Sequence, residues 1–303
     1  MSFQNQSKSA IHDEIMSLED LLKLELPPQK WLIDGLLPIG TALLAGPPKI
    51  GKSYFVLNLM KRVVASGKGV FYYAAEDSFS RLQTRLNQLK IEGGSMYFLA
   101  GRQSTLGRDP LRRMDEIIHD HPEIDAIFLD TMHLTLPKTP KPSDYEAYVH
   151  NLKPWADFAH QRNIGVLMVH HTRKGNSEAD HNPHDAILGS QGIMASFDTV
   201  MTMKRTSDGQ GAVLNTTGKD IADTEYRLSK QTYGWEIEGL ESLASLGDTQ
   251  AKVYKFIRFN KGCLRKEIIN TFKIDNSYLS RIIQKLIKEN VIELIDGKHY
   301  ATN

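Results

Sequence analysis

The segment Gly46-Pro47-Pro48-Lys49-Ile50-Gly51-Lys52-Ser53 constrains this chain more than any other. It matches G-x-x-x-x-G-K-[ST] at every fixed position. It also stands where that pattern has a mechanism, between the apolar run Thr41-Ala42-Leu43-Leu44-Ala45 and a helix over Ser53 to Ala65 that carries Phe55, Leu57, Met60 and Val63. Glycines let the backbone wrap closely around a polyphosphate, and backbone amides and the helix N-terminus face the anion. Lys52 then reaches the terminal phosphates, and the Ser53 hydroxyl ligates Mg²⁺. Gly46 through Ser53, with Tyr54 following, are the expected nucleotide-binding residues.

The runs after this loop predict an α/β chain. Gly69 to Ala75 reads as a second buried strand that stops at Glu76-Asp77, and Ser80 to Leu89 alternates apolar and basic residues at helical spacing. Asp125 to Asp130 and Ile164 to His171 are further strands, with a helical stretch from Lys153 to His160 between them. Asp198 to Met203 and Ala212 to Thr216 look like two more. Short apolar strands alternating with amphipathic helices predict a parallel sheet covered on both faces. The strand ending in Asp130 supplies a second metal-side carboxylate, acting directly or through a water. Thr131 follows it, so the carboxylate that activates water must come from elsewhere. Glu76, at the tip of the strand after the phosphate-loop helix, is placed to be a general base; Asp77 is the alternative, and its other reading is a helix N-cap.

Composition sets the outer bounds. At 303 residues the chain has room for about two folding units. Its 41% apolar and 24% charged residues exclude a disordered or fibrous protein. Lys and Arg (37) nearly cancel Asp and Glu (36), so any binding to nucleic acid must come from local patches. The lone Cys263 cannot form an internal disulfide and sits in no metal-ligand spacing. Residues 1–17 are polar, lack apolar periodicity and read as a flexible arm, and no run of 18 uncharged apolar residues occurs. A soluble, cytoplasmic protein with no membrane partner is expected. His170, His171, His181 and His184 have no cysteine nearby and the last two lie in a polar loop, so zinc is not expected.

The phosphate loop, Ala75-Glu76-Asp77 after the next strand, Leu129-Asp130-Thr131 and Val169-His170-His171-Thr172-Arg173-Lys174-Gly175 together resemble the RecA superfamily. Within it, the chain is similar to the RepA-type hexameric replicative helicases of plasmids and to related mobile-element ATPases. The resemblance covers residues 28–240 and includes Leu188-Gly189-Ser190-Gln191-Gly192 before Asp198. It implies a RecA-like sheet, ATP and Mg²⁺ as ligands, and a homo-oligomer, in these helicases a hexamer. It puts His171 where a polar residue senses the γ-phosphate. By the same resemblance the loops Thr135 to Ser143, with Lys138 and Lys141, and Thr172 to Ala186, with Arg173 and Lys174, line a channel and touch single-stranded DNA. A subunit motor also needs a cation inserted into its neighbour's site, and Lys219 is the candidate, with Arg227 behind it. No arginine aligns with the family's finger.

Composition turns small and polar near Gly239–Asp248, which places a boundary between an ATPase core over 18–243 and a module over 248–303. That module holds eleven basic and six acidic residues, a net of +5 that leaves −4 for the rest. Helices over Thr249 to Phe259, Leu264 to Phe272 and Asn276 to Asn290, followed by a hairpin around Asp296-Gly297, look like a winged helix-turn-helix. On the third helix Leu279, Ile282, Ile283 and Leu286 share one face; Ser277, Arg281, Gln284, Lys285 and Lys288 share the other, which could enter a major groove of duplex DNA. Such a module departs from the usual plasmid helicase and keeps a rival open, an ATP-switched DNA-binding regulator of replication or transcription without unwinding activity. A kinase using the same phosphate loop is a third reading.

Overall fold

The computed structural model describes residues 15–101, 109–134, 136, 145–172, 187, 190–206, 209, 211–240, 248–260, 262–288 and 291–301. The chain divides into two compact units, Met1–Lys30 and Trp31–Asn303. In the first, the Ser17 hydroxyl accepts from the Asp20 amide and caps the short helix α1 (Leu18–Lys23). Most of the arm expected over 1–17 lies outside the described residues.

The second unit opens with a two-stranded hairpin, β1 (Trp31–Ile33) and β2 (Leu37–Pro38). There follow β3 (Gly40–Gly46), α2 (Lys52–Ala65), β4 (Gly69–Ala74), α3 (Phe79–Gln88), β5 (Met96–Ala100), α4 (Pro110–Asp120), β6 (Ile124–Asp130), α5 (Tyr145–Arg162) and β7 (Gly165–His171). Next come α6 (Ser190–Ala195), β8 (Thr199–Arg205), β9 (Ala212–Gly218), β10 (Thr224–Lys230) and β11 (Trp235–Leu240). Strands β3 to β11 form one sheet in the order β11-β10-β9-β8-β3-β7-β6-β4-β5. The six strands from β8 to β5 are mutually parallel.

In β3, β4, β6 and β7 both sheet faces are buried, and the pleat sorts side chains between them with period two. In β3, Ala42 and Leu44 face one core and Leu43 and Ala45 the other. In β4, Tyr72 packs with Phe55 and Met60 of α2 in the first core, whereas Tyr73 joins Leu152 and Trp155 of α5 in the second. Such strands read as continuous apolar runs, which is why they are legible in the sequence.

Three features differ from expectation. The sheet is not wholly parallel, because β9, β10 and β11 continue it antiparallel. The link from β8 to β9 spans only residues 206–211, far too short for a parallel crossover, so it closes a hairpin. The helix expected over Lys153 to His160 begins at Tyr145 and runs through Pro154. Finally, β5, α4, β10 and β11 stood out in no sequence pattern; β10 and β11 alternate polar and buried residues, a weaker signal than an apolar run.

The chain ends in α7 (Asp248–Phe259), β12 (Cys263–Leu264), α8 (Arg265–Phe272), α9 (Asn276–Lys288), β13 (Ile292–Ile295) and β14 (Lys298–Ala301). The strands form an antiparallel sheet in the order β12-β14-β13. Val253, Ile257, Ile268, Leu279, Ile282 and Leu286 make a third core here. Asp296 and Gly297, both at positive φ, turn β13 into β14.

Candidate active site at the phosphate loop

The site gathers where parallel strands end. Register puts Gly46 beside His171 and Ala74 beside Asp130, so the C-terminal tips of β3, β7, β4 and β6 come level. Ligands of open parallel sheets bind at such an edge. The loop from Gly46 to Gly51 leaves β3 and enters α2 directly, with Lys49 (φ 64°) and Gly51 (φ 108°) in left-handed backbone. That curvature turns the chain around a concave space at the start of the helix.

Lys52 is buried at 5% exposure. Its Nζ donates to the carbonyls of Gly46 (2.7 Å) and Pro47 (3.1 Å) and lies 3.2 Å from His171 Nδ1. Burial lowers its pKa from 10.5 to about 8, against the opposing pull of Asp130 and Glu76. Burial likewise pushes His171 below its ordinary value, and the Lys52 charge adds to this, so a neutral imidazole accepts from the ammonium.

Asp130 is buried at the tip of β6 and accepts hydrogen bonds from the Ser53 hydroxyl and, at 2.9 Å, from the Tyr72 hydroxyl. Burial raises its pKa; those two bonds lower it, and Asp77 and Glu76 raise it further. A hydroxyl and a buried carboxylate held together, both hard oxygen donors, fit a magnesium ion. Glu76 sits across from them, its side chain half exposed. Its Oε1 accepts from Thr131 Oγ1 at 3.3 Å, and that hydroxyl lies 2.8 Å from His133 Nδ1. Asp77 is not the helix cap: Ser78 caps α3, its side chain accepting from the Arg81 amide. Asp77 instead pairs with Arg81 at 3.0 Å and with Arg85, which occupies its oxygens.

The structure thus brings Lys52, Ser53, Asp130, Glu76 and His171 together around the loop Gly46–Gly51. Tyr54, on the first turn of α2, donates to Gln88 of α3 at 2.7 Å and stacks on Tyr233. Lys219 lies at the opposite edge of the sheet, where its Nζ meets Asp198 Oδ1 at 2.9 Å. Asp198 also accepts from the Thr41 amide and hydroxyl and lies 2.9 Å from His160 Nε2. Arg227 of β10 faces Glu238 at 3.5 Å. On α9, Arg281 and Lys288 are exposed and Lys285 is half-buried, opposite the buried face of Leu279, Ile282, Ile283 and Leu286. Lys138, Lys141, Arg173 and Lys174 lie outside the described residues. An open cavity of about 630 Å³ near Arg113, His119 and Arg162 shares no residue with the phosphate loop.

Three contributors escaped the sequence pattern, Tyr72, His133 and Trp235, and the contact of Thr131 with Glu76 was not visible in it either. Tyr72 sits in a fully buried strand where only the unusual Tyr72-Tyr73 pair hinted at a polar partner. Trp235 donates its indole N–H to the Ile50 carbonyl across 185 residues, a contact no local spacing announces.

Fold and site together define a P-loop ATPase of the RecA superfamily. A family profile described as an AAA domain matches residues 6–177, more than half of the chain, and the chain belongs to that family. The DNA repair protein RadA of Chlamydia trachomatis serovar D is 27% identical over 129 residues, 42% of this chain. The match spans 28% of RadA's own length. Among solved structures, the ATPase domain of G40P is similar with a TM-score of 0.53 at 11% identity, covering 67% of this chain and 85% of that one. Among the described residues, no helix is long and apolar enough to cross a membrane.

Proposed function

We propose that the chain hydrolyses ATP with Mg²⁺ to drive a DNA-acting RecA-fold motor, a ring-forming, hexameric replicative helicase or translocase of a plasmid, phage or other mobile element. The observation that carries this reading is the convergence of Lys52, the Ser53–Asp130 pair and Glu76 around one phosphate loop. Gly46 to Ser53 wrap the phosphates, and the Lys52 ammonium turns from the Gly46 and Pro47 carbonyls to phosphate oxygens. Ser53 and Asp130 would hold Mg²⁺, which neutralises charge on the bridging and terminal phosphates. Glu76 takes a proton from water as the oxygen bonds to the γ-phosphorus and the bond to the β-phosphate oxygen breaks, giving ADP and phosphate. Thr131 orients Glu76, and His171, touching Lys52, senses the phosphate.

Lys219, with Arg227 behind it, serves the neighbouring subunit's site; its distance from this chain's own phosphate loop agrees with a group that acts in trans. Lys138, Lys141, Arg173 and Lys174 contact single-stranded DNA. Residues 248–303 form a winged helix-turn-helix beyond an ATPase core over 18–243, with Arg281, Lys285 and Lys288 toward duplex DNA. The match to a DNA repair protein supports a DNA substrate. A cytoplasmic location follows from this role.

The basic face of α9 favours one second reading, a nucleotide-switched DNA-binding regulator. ATP hydrolysis with and without single-stranded DNA, in the native chain, Lys52→Ala and Glu76→Gln, decides between them. A motor gives DNA-stimulated turnover that both substitutions abolish. Hydrolysis indifferent to single strands, alongside tight duplex binding, gives the regulator.

A further inference from the structure

The tip of the β10–β11 hairpin grips the phosphate loop. Trp235, 3% exposed, donates its indole N–H to the Ile50 carbonyl at 2.5 Å. A Cβ on Gly51 would lie 2.9 Å from that indole nitrogen, so Gly51 is needed for its left-handed φ and again for the room it leaves the ring. Asn58 of α2 donates to the Trp235 carbonyl at 3.1 Å, and the Arg205 guanidinium lies over the indole at 5.6 Å. One residue earlier, Gly234 (φ 81°) presses so closely on the first turn of α2 that a Cβ there would stand 2.5 Å from the Tyr54 Cβ. Tyr233 stacks on the Tyr54 ring.

We propose that Trp235 is a positioning residue that holds the phosphate loop open for nucleotide before nucleotide arrives; this rests on reading Gly46–Ser53 as the ATP site. The link is peptide geometry. A trans peptide sends its carbonyl and its amide in opposite directions. Holding the Ile50 oxygen toward the hairpin therefore aims the Gly51 N–H away from it, toward the concave side where phosphate binds. A loop fixed this way need not be ordered by its ligand, and affinity gains what ordering would otherwise take. A buried indole N–H needs a partner, but a core carbonyl would serve packing equally well; here the partner belongs to the loop itself.

The test uses the full chain labelled with 5-fluorotryptophan, which has three fluorine resonances, from Trp31, Trp155 and Trp235. Substitutions of each to Phe assign them. Trp235→Phe keeps an aromatic ring in place and removes the donor. It is expected to weaken MgATP binding by about tenfold, the worth of one neutral hydrogen bond, with kcat at saturation nearly unchanged and the melting temperature lowered by a few degrees. In the native chain, the Trp235 resonance is expected to be a single sharp line before any ATPγS is added, as a ring already fixed on the loop gives. Native affinity in Trp235→Phe, or a Trp235 resonance that is broadened or split until nucleotide saturates the site, overturns the proposal. Should Trp235→Phe fail to fold, the native-chain titration decides, with Trp235 assigned by elimination from the other two variants. A native chain that binds no MgATP by calorimetry removes the reading of the site itself, and this inference with it.

Discussion

Lys52 is a buried cation whose ammonium is solvated by the Gly46 and Pro47 carbonyls of its own loop. With its pKa lowered to about 8 by burial, the unfolded chain holds the proton more tightly than the folded one between pH 8 and 10.5. Folding is therefore disfavoured by this charge below pH 8, and the penalty is relieved as pH rises through that window. Phosphate oxygens reverse the balance by raising the pKa, so ATP binding takes up a proton above pH 8. Affinity is expected to fall with rising pH there, approaching about tenfold per unit, with the proton uptake visible as a buffer-dependent heat of binding. Lys52→Ala should bind weakly and without that pH dependence. Asp130 carries the complementary strain, a carboxylate whose pKa burial has raised. Asp130→Asn keeps an acceptor for Ser53 and Tyr72 while removing the buried charge. It is expected to raise the melting temperature without ligands by about 2 °C and to abolish Mg²⁺-dependent hydrolysis, the usual exchange of activity for stability at a functional site. A melting temperature lowered in Asp130→Asn would show that the charge itself stabilises the fold.

At the scale of elements, what the sequence revealed followed burial. Strands β3, β4, β6 and β7 are covered on both faces, so each is a run of apolar residues that pattern alone locates, and the site residues at their tips came with them. The hairpin β10–β11 escaped notice because half its residues face solvent, and with it went Trp235, whose partner lies far away in sequence. Thr131 and His133 were missed for another reason: short polar residues after a strand resemble any loop, and only three-dimensional placement puts the Thr131 hydroxyl on Glu76. Helix α9 shows what amphipathic spacing does carry. Its buried face packs into the third core, and Arg265 of α8 donates to the Asn276 side chain at 2.7 Å, tying the start of α9 to α8. Arg281, whose guanidinium lies 5.5 Å over the Tyr278 ring, and Lys288 are exposed on the other side and can be reversed in charge without entering that core. Arg281→Glu with Lys288→Glu is expected to weaken duplex DNA binding by about 100-fold at low salt and to flatten the dependence of affinity on salt concentration. An unchanged salt slope would move duplex contacts off this helix.

For the whole molecule, the decisive matter is whether one chain holds a complete catalytic site. The phosphate loop, Ser53 with Asp130, and Glu76 lie together at one edge of the sheet, whereas Lys219 stands at the other, paired with Asp198. A transition state that gathers charge on the γ-phosphate needs a further cation, and in the proposed ring it would come from the adjacent subunit. Two inactive variants then become complementary. Lys52→Ala destroys its own site but keeps its Lys219; Lys219→Ala keeps its site but has nothing to lend. Asp198 in the second variant still has Thr41 and His160 as partners, so its fold is expected to persist. Each variant alone should hydrolyse ATP poorly. Mixed in equal amounts and allowed to exchange subunits, about a quarter of interfaces would join an intact site to an intact lysine, and about a quarter of native turnover should return. Recovery would place Lys219 across the interface. No recovery, with full activity of Lys219→Ala alone, would mean that this lysine serves only to hold Asp198, and that another group completes the site.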